Sequence, residues 1–417
     1  MRPLRIFFSC NGAGIIDRGI EIFFREAFDG LRGTEDLDIT FYKGAGEEKS
    51  DEHVLWNVPR THRMARLLGA CIRRSSYVAE QLSTFPSMVR AIRRHRPEII
   101  FYSDSNLGFQ LFRWRKQIGV PFRLLFSNGG PCHPPFDRTD YVHQVAPLYY
   151  EEATAAGESP DRHRMVPYGI NVPDGPPDRD ENTRRELRRK LGLPGDRPII
   201  LSVGWISAKQ KRMDYLVNEM VRLREGYGVA GGTSEIDDGE SAPYLVLLGA
   251  MDQKSDAIIA LARRKLGEEN FTARSVSHDQ VHDYYRAAVL FTLASLQEGF
   301  GRVFLEALVH GLPVIAHNHP VMRFVLGSEG TFGDLSKPGV LAALIREKLG
   351  REDSEENATR RREMVRTRFS WVVLAPQYRE MFLDCFQNSD PHHHCSGYSA
   401  AEHIKKQLQP LTARQRD

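Results

Sequence analysis

Two carboxylates in a mostly apolar segment are the first residues equipped for chemistry. Glu298 and Glu306, with seven residues between them, belong to EGFGRVFLEALVHGLPVIA, residues 298–316. A carboxylate accepts hydrogen bonds from hydroxyl groups. Gly299 and Gly301 allow close backbone approach. The free amides around Phe300, Gly301 and Arg302, at the start of a predicted helix, form a positive helix end suited to a phosphate. Hydroxyl acceptors beside such a helix end suggest a sugar nucleotide. A first loop, SCNGAGIIDRGIE, offers Gly12, Gly14 and Gly19 for close approach to a phosphate or an acceptor, although a plain tight turn has the same composition.

For these groups to meet, they must sit where strands end and helices begin, because open α/β sheets bind ligands beyond the carboxyl ends of their strands. LRIFFS, LDITFYK, EIIFYSD and FRLLFSN alternate with helical stretches such as GIEIFFREAFDGL. The rhythm restarts at Pro198 with PIILSVG, YLVLLGA, VLFTLAS and LPVIAHN, separated by helices such as MDYLVNEMVRLREG. Alternation of this kind predicts an α/β class with two doubly wound, Rossmann-like halves. Glu298 then lies on the loop after VLFTLAS and Glu306 in the second turn of the next helix, tilted back toward the same mouth. Both are expected to border one cleft. The Pro-, Gly- and charge-rich stretch 171–196 is a linker, giving an N-terminal domain over 1–170, a C-terminal domain over 171–368 and a helix over 369–386. Gly226–Pro243 has loop composition, and 387–417 is a tail.

At 417 residues the chain exceeds the usual single core, which also favours two domains. Its 57 Lys+Arg against 54 Asp+Glu, a formal net charge of +3, are too nearly balanced to argue for nucleic acid as the main partner, and no nucleic acid is expected. Positive charge gathers locally from Arg60 to Arg96, where nine arginines interleave with Leu67, Leu68, Ile72, Val78 and Leu82 around a single acid, Glu80. The stretch reads as a helix pair suited either to peripheral contact with an anionic membrane or to plain solvent. Five scattered cysteines without metal-like spacing fit a reducing cytoplasm, and no run approaches a transmembrane helix. His392, His393, His394 and Cys395 form a tail tract with no second ligand group, so no metal site is expected.

EGFG, the paired glutamates and HGLPVIA resemble the retaining glycosyltransferases of family four, the group 1 glycosyltransferases, which have the GT-B fold. Weaker matches follow in family order: GIE at 19–21, VPYGIN at 166–171, SVG then KRMDYLV at 211–217, LLGA and HDYYRAAVLFTLASLQEGFG. The resemblance reaches Cys385, and FSWVVLAPQYREMFLDCF resembles the helix that crosses back onto the first domain. It implies a nucleoside-diphosphate sugar donor, a UDP- or GDP-sugar, and a hydroxyl acceptor, with no cofactor or metal. Glu298 would contact the donor sugar, Glu306 the ribose, and Lys211 the diphosphate. An arginine usual after the SVG-like strand end is Trp205 here, which leaves Lys209 or Arg212 as a second cation. A histidine usual after FRLLFSN is replaced by Asn128, and His133 in SNGGPCHPP is an alternative imidazole for a catalytic or acceptor role.

Competing activities are weaker on these residues. A metal-dependent GT-A enzyme needs an Asp-x-Asp at a strand end, whereas Asp36 precedes a strand and Asp178 lies in the linker. A GT-B phosphorylase, a sugar-nucleotide epimerase or an inactive sugar-nucleotide-binding protein would share the architecture, and the presence of both Glu298 and Lys211 favours transfer.

Overall fold

The computed structural model describes residues 2–130, 132–225 and 242–390. All but the last two residues of the expected loop over Gly226–Pro243, and the His392–Cys395 tract, lie outside them. The apolar runs become two parallel sheets. In the first half β1 (Leu4–Cys10), β2 (Leu37–Lys43), β3 (Glu52–Val54), β4 (Ile99–Tyr102), β5 (Arg123–Asn128), β6 (Tyr141–Gln144) and β7 (His163–Met165) take the order β3-β2-β1-β4-β5-β6-β7. In the second half β8 (Ile199–Val203), β9 (Tyr244–Leu248), β10 (Phe271–Arg274), β11 (Leu290–Thr292), β12 (Val314–His317) and β13 (Gly330–Gly333) take the order β10-β9-β8-β11-β12-β13. Ile6, Phe8, Phe101, Leu201 and Ile315 are wholly buried. Burial on both faces is why these strands read as continuous apolar runs instead of alternating ones.

The first half carries helices α1 (Gly19–Leu31), α2 (Arg63–Cys71), α3 (Ser76–His95), α4 (Ser105–Arg113), α5 (Arg115–Ile118) and α6 (Pro147–Ala155). The second carries α7 (Glu181–Leu191), α8 (Met213–Glu225), α9 (Ser255–Leu266), α10 (His278–Ala287), α11 (Arg302–Val309), α12 (Pro320–Leu326), α13 (Val340–Leu349) and α14 (Glu355–Phe369), followed by α15 (Trp371–Asn388). The basic stretch does form a helix pair, α2 against α3. Among the described residues no helix is long and apolar enough to cross a membrane.

Strand order reverses between β1 and β4 in one sheet and between β8 and β11 in the other, the positions at which open α/β sheets bind ligands. The last strand of the first sheet ends at Met165 and the first of the second begins at Ile199. α15 returns to the first half and runs to Asn388, two residues past its expected end. Phe382 sits 5.8 Å from Phe8 and 5.6 Å from Phe101, ring centre to ring centre. Tyr378 donates to the Pro167 carbonyl at 3.0 Å, and Arg164 pairs with Glu380 at 2.6 Å and Asp384 at 2.5 Å.

Candidate functional site

Lys211 stands on the turn between β8 and α8, and Glu298 on the loop between β11 and α11, the two loops that flank the second sheet's switch point. The Lys211 Nζ lies 2.6 Å from Glu298 Oε1 and 2.8 Å from Oε2. Ser295 Oγ donates to the same Oε1 at 2.5 Å. Their side chains are only 15% and 10% exposed, so the pair is largely withdrawn from water. A cation and a carboxylate held at one strand-end crevice form a unit that can exchange partners when an anion and a hydroxyl arrive together.

The halves touch at this loop. A Cβ on Gly299 would lie 2.1 Å from the Gly129 carbonyl, so only glycine permits the approach. Tyr149 donates to the Glu298 carbonyl at 2.9 Å. Phe300 packs edge-on against Tyr168 at 5.4 Å. Gly301 caps α11 at φ +81°, a left-handed conformation that other residues adopt only with strain. The Arg302 side chain is a latch: it donates to the Gly169 carbonyl at 2.5 Å and lies 2.9 Å from Glu26, both in the first half. Sequence reasoning used only the Arg302 amide; its long-range partners have no local mark.

Glu306 has other surroundings. It is 6% exposed, accepts from the Tyr285 hydroxyl at 3.0 Å and lies 3.9 Å from His278 Nε2, an ion-pair separation too long for a hydrogen bond. Burial alone would raise the Glu306 carboxyl, but His278, Arg302 and Tyr285 outweigh it and hold it below its usual range. Glu306 in turn raises the His278 imidazole against the opposing effect of burial. His282 Nδ1 and His310 Nε2 are 2.9 Å apart, and burial presses His310 down to about 3. His278, the first residue of α10, and His282 one turn on are visible in HDQVHDYY, but nothing local ties them to Glu306.

A cavity of about 540 Å³ opens between the halves, lined by Glu306, His278 and His310 on one side and by Gly14, Asp17 and Glu21 on the other. Its lining takes in Glu306 but neither Glu298 nor Lys211. Of the two carboxylates expected at one cleft, Glu306 lines this cavity, while Glu298 is engaged in its own ion pair beside the contact of Gly299 with Gly129.

The remaining expected residues are placed as follows. Gly14 lines the cavity, while Gly19 is the exposed first residue of α1. Arg212 donates to the carbonyls of Ala294 at 3.2 Å and Leu335 at 2.7 Å, and lies over the Tyr215 ring, so its guanidinium is engaged away from Glu298. Trp205 is half-exposed. Asn128 is buried with its amide fully used: Nδ2 donates to Gln144 at 2.9 Å and to the Cys132 carbonyl at 3.1 Å, and Oδ1 accepts from the Cys132 amide. That network shapes its own turn. His133 is exposed, 3.5 Å from Glu152. Among the described residues no three metal-ligating side chains converge.

In the first half, buried Asp104 at the end of β4 accepts from the Asn11 amide, the Tyr77 hydroxyl and Gln81, while Glu21, which lines the cavity, pairs with Arg18. Carboxylates therefore stand at the switch points of both sheets. The family described as glycosyl transferases group 1 matches residues 183–363, which span every C-terminal residue of this arrangement. Over that segment the chain is similar to the group 1 glycosyl transferases. It is 28% identical over 174 residues to the alpha-monoglucosyldiacylglycerol synthase of Streptococcus pneumoniae, covering 41% of this chain and 36% of that one. The match thus spans only about a third of that relative's length. Sucrose-phosphate synthase from Thermosynechococcus elongatus superposes with a TM-score of 0.70 at 19% identity, over 93% of this chain and 100% of the other. Anabaena HepE in complex with UDP and glucose gives 0.68 at 16% identity, over 91% and 99%. Matches at this level establish the fold, and the GT-B architecture expected of a group 1 glycosyl transferase is the one found.

Proposed function

We propose that the protein transfers a hexosyl unit from a nucleoside-diphosphate sugar to a hydroxyl group, with retention of configuration and no required metal. The observation that carries this is the Lys211–Glu298 pair at the crevice of the second sheet. When donor binds, the diphosphate takes Lys211 and the sugar hydroxyls take Glu298, while Glu306 receives the ribose hydroxyls. As the glycosidic bond lengthens, charge grows on the leaving diphosphate, and a preorganised cation stabilises it there. HepE, which shares the fold, was captured with UDP and glucose, and that supports a uridine nucleotide as the first donor to try. The test is transfer from UDP- and GDP-hexoses by wild type, Lys211→Ala and Glu298→Ala, with the product anomer read by NMR. Both variants should lose about a hundredfold or more in rate; undiminished transfer, or an inverted product, overturns the proposal.

The acceptor is best read from α2. Trp56 and Leu67 are 67% and 66% exposed, and Met64, Leu68 and Ile72 are exposed with them, between exposed Arg63, Arg66, Arg73 and Arg74. The one acid within residues 60–96, Glu80, is buried and paired with Arg60. Apolar side chains ringed by arginines suit the interface of an anionic membrane, and a relative is named for glucosylating a diacylglycerol. The acceptor hydroxyl is accordingly proposed to be lipid-borne, with the protein held peripherally at the membrane. Co-sedimentation should be strong with phosphatidylglycerol vesicles, weak with phosphatidylcholine, and lost in Leu67→Glu/Leu68→Glu. Equal binding to both vesicles, or no effect of the double change, removes this part of the proposal.

A further inference from the structure

A second cavity, of about 420 Å³, lies at the other end of the second sheet from Lys211 and Glu298, where Pro198, Val289 and Pro313 lead into β8, β11 and β12. Its size falls within the range of about 300–1,000 Å³ typical of small-molecule sites. Seven cationic side chains line it against three carboxylates, Glu181, Asp196 and Asp353. Two of the three are already shared between arginines. Glu181 lies 2.7 Å from Arg184 and 3.6 Å from Arg185, and Asp353 lies 2.5 Å from both Arg179 and Arg361.

Of the other cations, Arg351 lies 2.9 Å from Glu347, whereas Arg188, Arg197 and Lys348 lack a counter-charge. Arg188 donates to the carbonyls of Ala287 and Gly195, both at 2.9 Å, and Arg197 to those of Ala242, Glu269 and Pro243. Among the described residues neither pairs with a carboxylate, and the Lys348 ammonium has no partner. Arg184 Nε is buried without a hydrogen-bond acceptor. Carbonyls satisfy a guanidinium's donors but leave its charge uncancelled. Burial, with Arg184 and Arg185 repelling it, holds Arg188 below the usual arginine range, and burial does the same to Arg197. Concentrating like charges in this way is costly unless an anion completes the group. Arginine forks bind phosphate oxygens in pairs, and Val289, Leu290, Pro313 and Leu349 give the cavity an apolar wall for an attached organic group.

We infer that this cavity binds a compact polyanion bearing two or more phosphate groups, at a site separate from the donor crevice. The inference is independent of the proposed transfer reaction. Inorganic pyrophosphate is the probe, titrated calorimetrically at low ionic strength into the full chain, into Lys348→Glu/Arg351→Glu and into Lys211→Ala. Wild type and Lys211→Ala should share a binding component that the double variant weakens at least about tenfold, a change of roughly 1.4 kcal/mol or more. Loss of all binding in Lys211→Ala, an unchanged isotherm in the double variant, or no binding to wild type each overturns the site. Should the double variant fail to fold, Arg185→Ala, at a side chain 66% exposed, decides: weaker pyrophosphate binding supports the site and unchanged binding refutes it.

Discussion

Replacing Glu298 with glutamine keeps the side chain's volume and one acceptor oxygen but removes the charge that holds Lys211. With both side chains largely buried, the pair lies between an exposed ion pair, worth about 0–1 kcal/mol, and a fully buried one, whose breaking costs about 3–5 kcal/mol. About 1–2 kcal/mol is a fair value for what Lys211 gives up when a diphosphate captures it. Glu298→Gln should therefore bind the free nucleoside diphosphate roughly 5 to 30 times more tightly than wild type, while its turnover falls about a hundredfold. Lys211→Ala has the opposite sign: it weakens the same nucleotide and leaves Glu298 charged, with Ser295 as its remaining side-chain partner, destabilising the fold by about 1–3 kcal/mol. Calorimetry with UDP and GDP, paired with urea midpoints, measures both. Unchanged or weaker nucleotide binding by Glu298→Gln, or unchanged binding by Lys211→Ala, would refute Lys211 as the diphosphate cation.

Arg302→Ala strands Glu26 and opens the contact with Gly169, so the urea midpoint should fall by the equivalent of about 3–5 kcal/mol; a loss below about 1 kcal/mol would deny the latch. Gly299→Ala drives a methyl into the Gly129 carbonyl and should cost about 1–3 kcal/mol while lowering transfer, since the halves can no longer close to the same separation. The pH dependence of stability separates two histidine effects. His278 is raised in the fold, so its contribution is complete below the unfolded value of about 6.5 and is lost as pH rises through the higher folded value. His310, depressed to about 3, acts the other way, withdrawing stability as pH falls below about 6.5. Subtracting His278→Gln from wild type isolates the first effect: the difference should shrink as pH rises above about 6.5, and a flat difference would count against the Glu306 pairing.

Features decided within a single strand or turn were legible in the sequence, and those decided by a distant partner were not. LRIFFS and YLVLLGA announce buried strands by composition alone. β6, YVHQ, does not: His143 and Gln144 are wholly buried only because Val166 and His163, on or beside the next strand, supply their hydrogen-bond partners. Asn128 looked available for an acceptor because nothing nearby in sequence reveals Gln144 as its partner. The two glutamates are the sharpest instance. Eight positions part them on one loop and helix, which suggests a shared cleft. Their surroundings are instead set by residues far along the chain, Lys211 for Glu298 and His278 with Tyr285 for Glu306. One carboxylate is poised against a cation that a diphosphate can take; the other is held ionised by an imidazole that titrates. Nucleotide affinity should accordingly rise in Glu298→Gln, whereas the pH profile of stability should answer to His278→Gln.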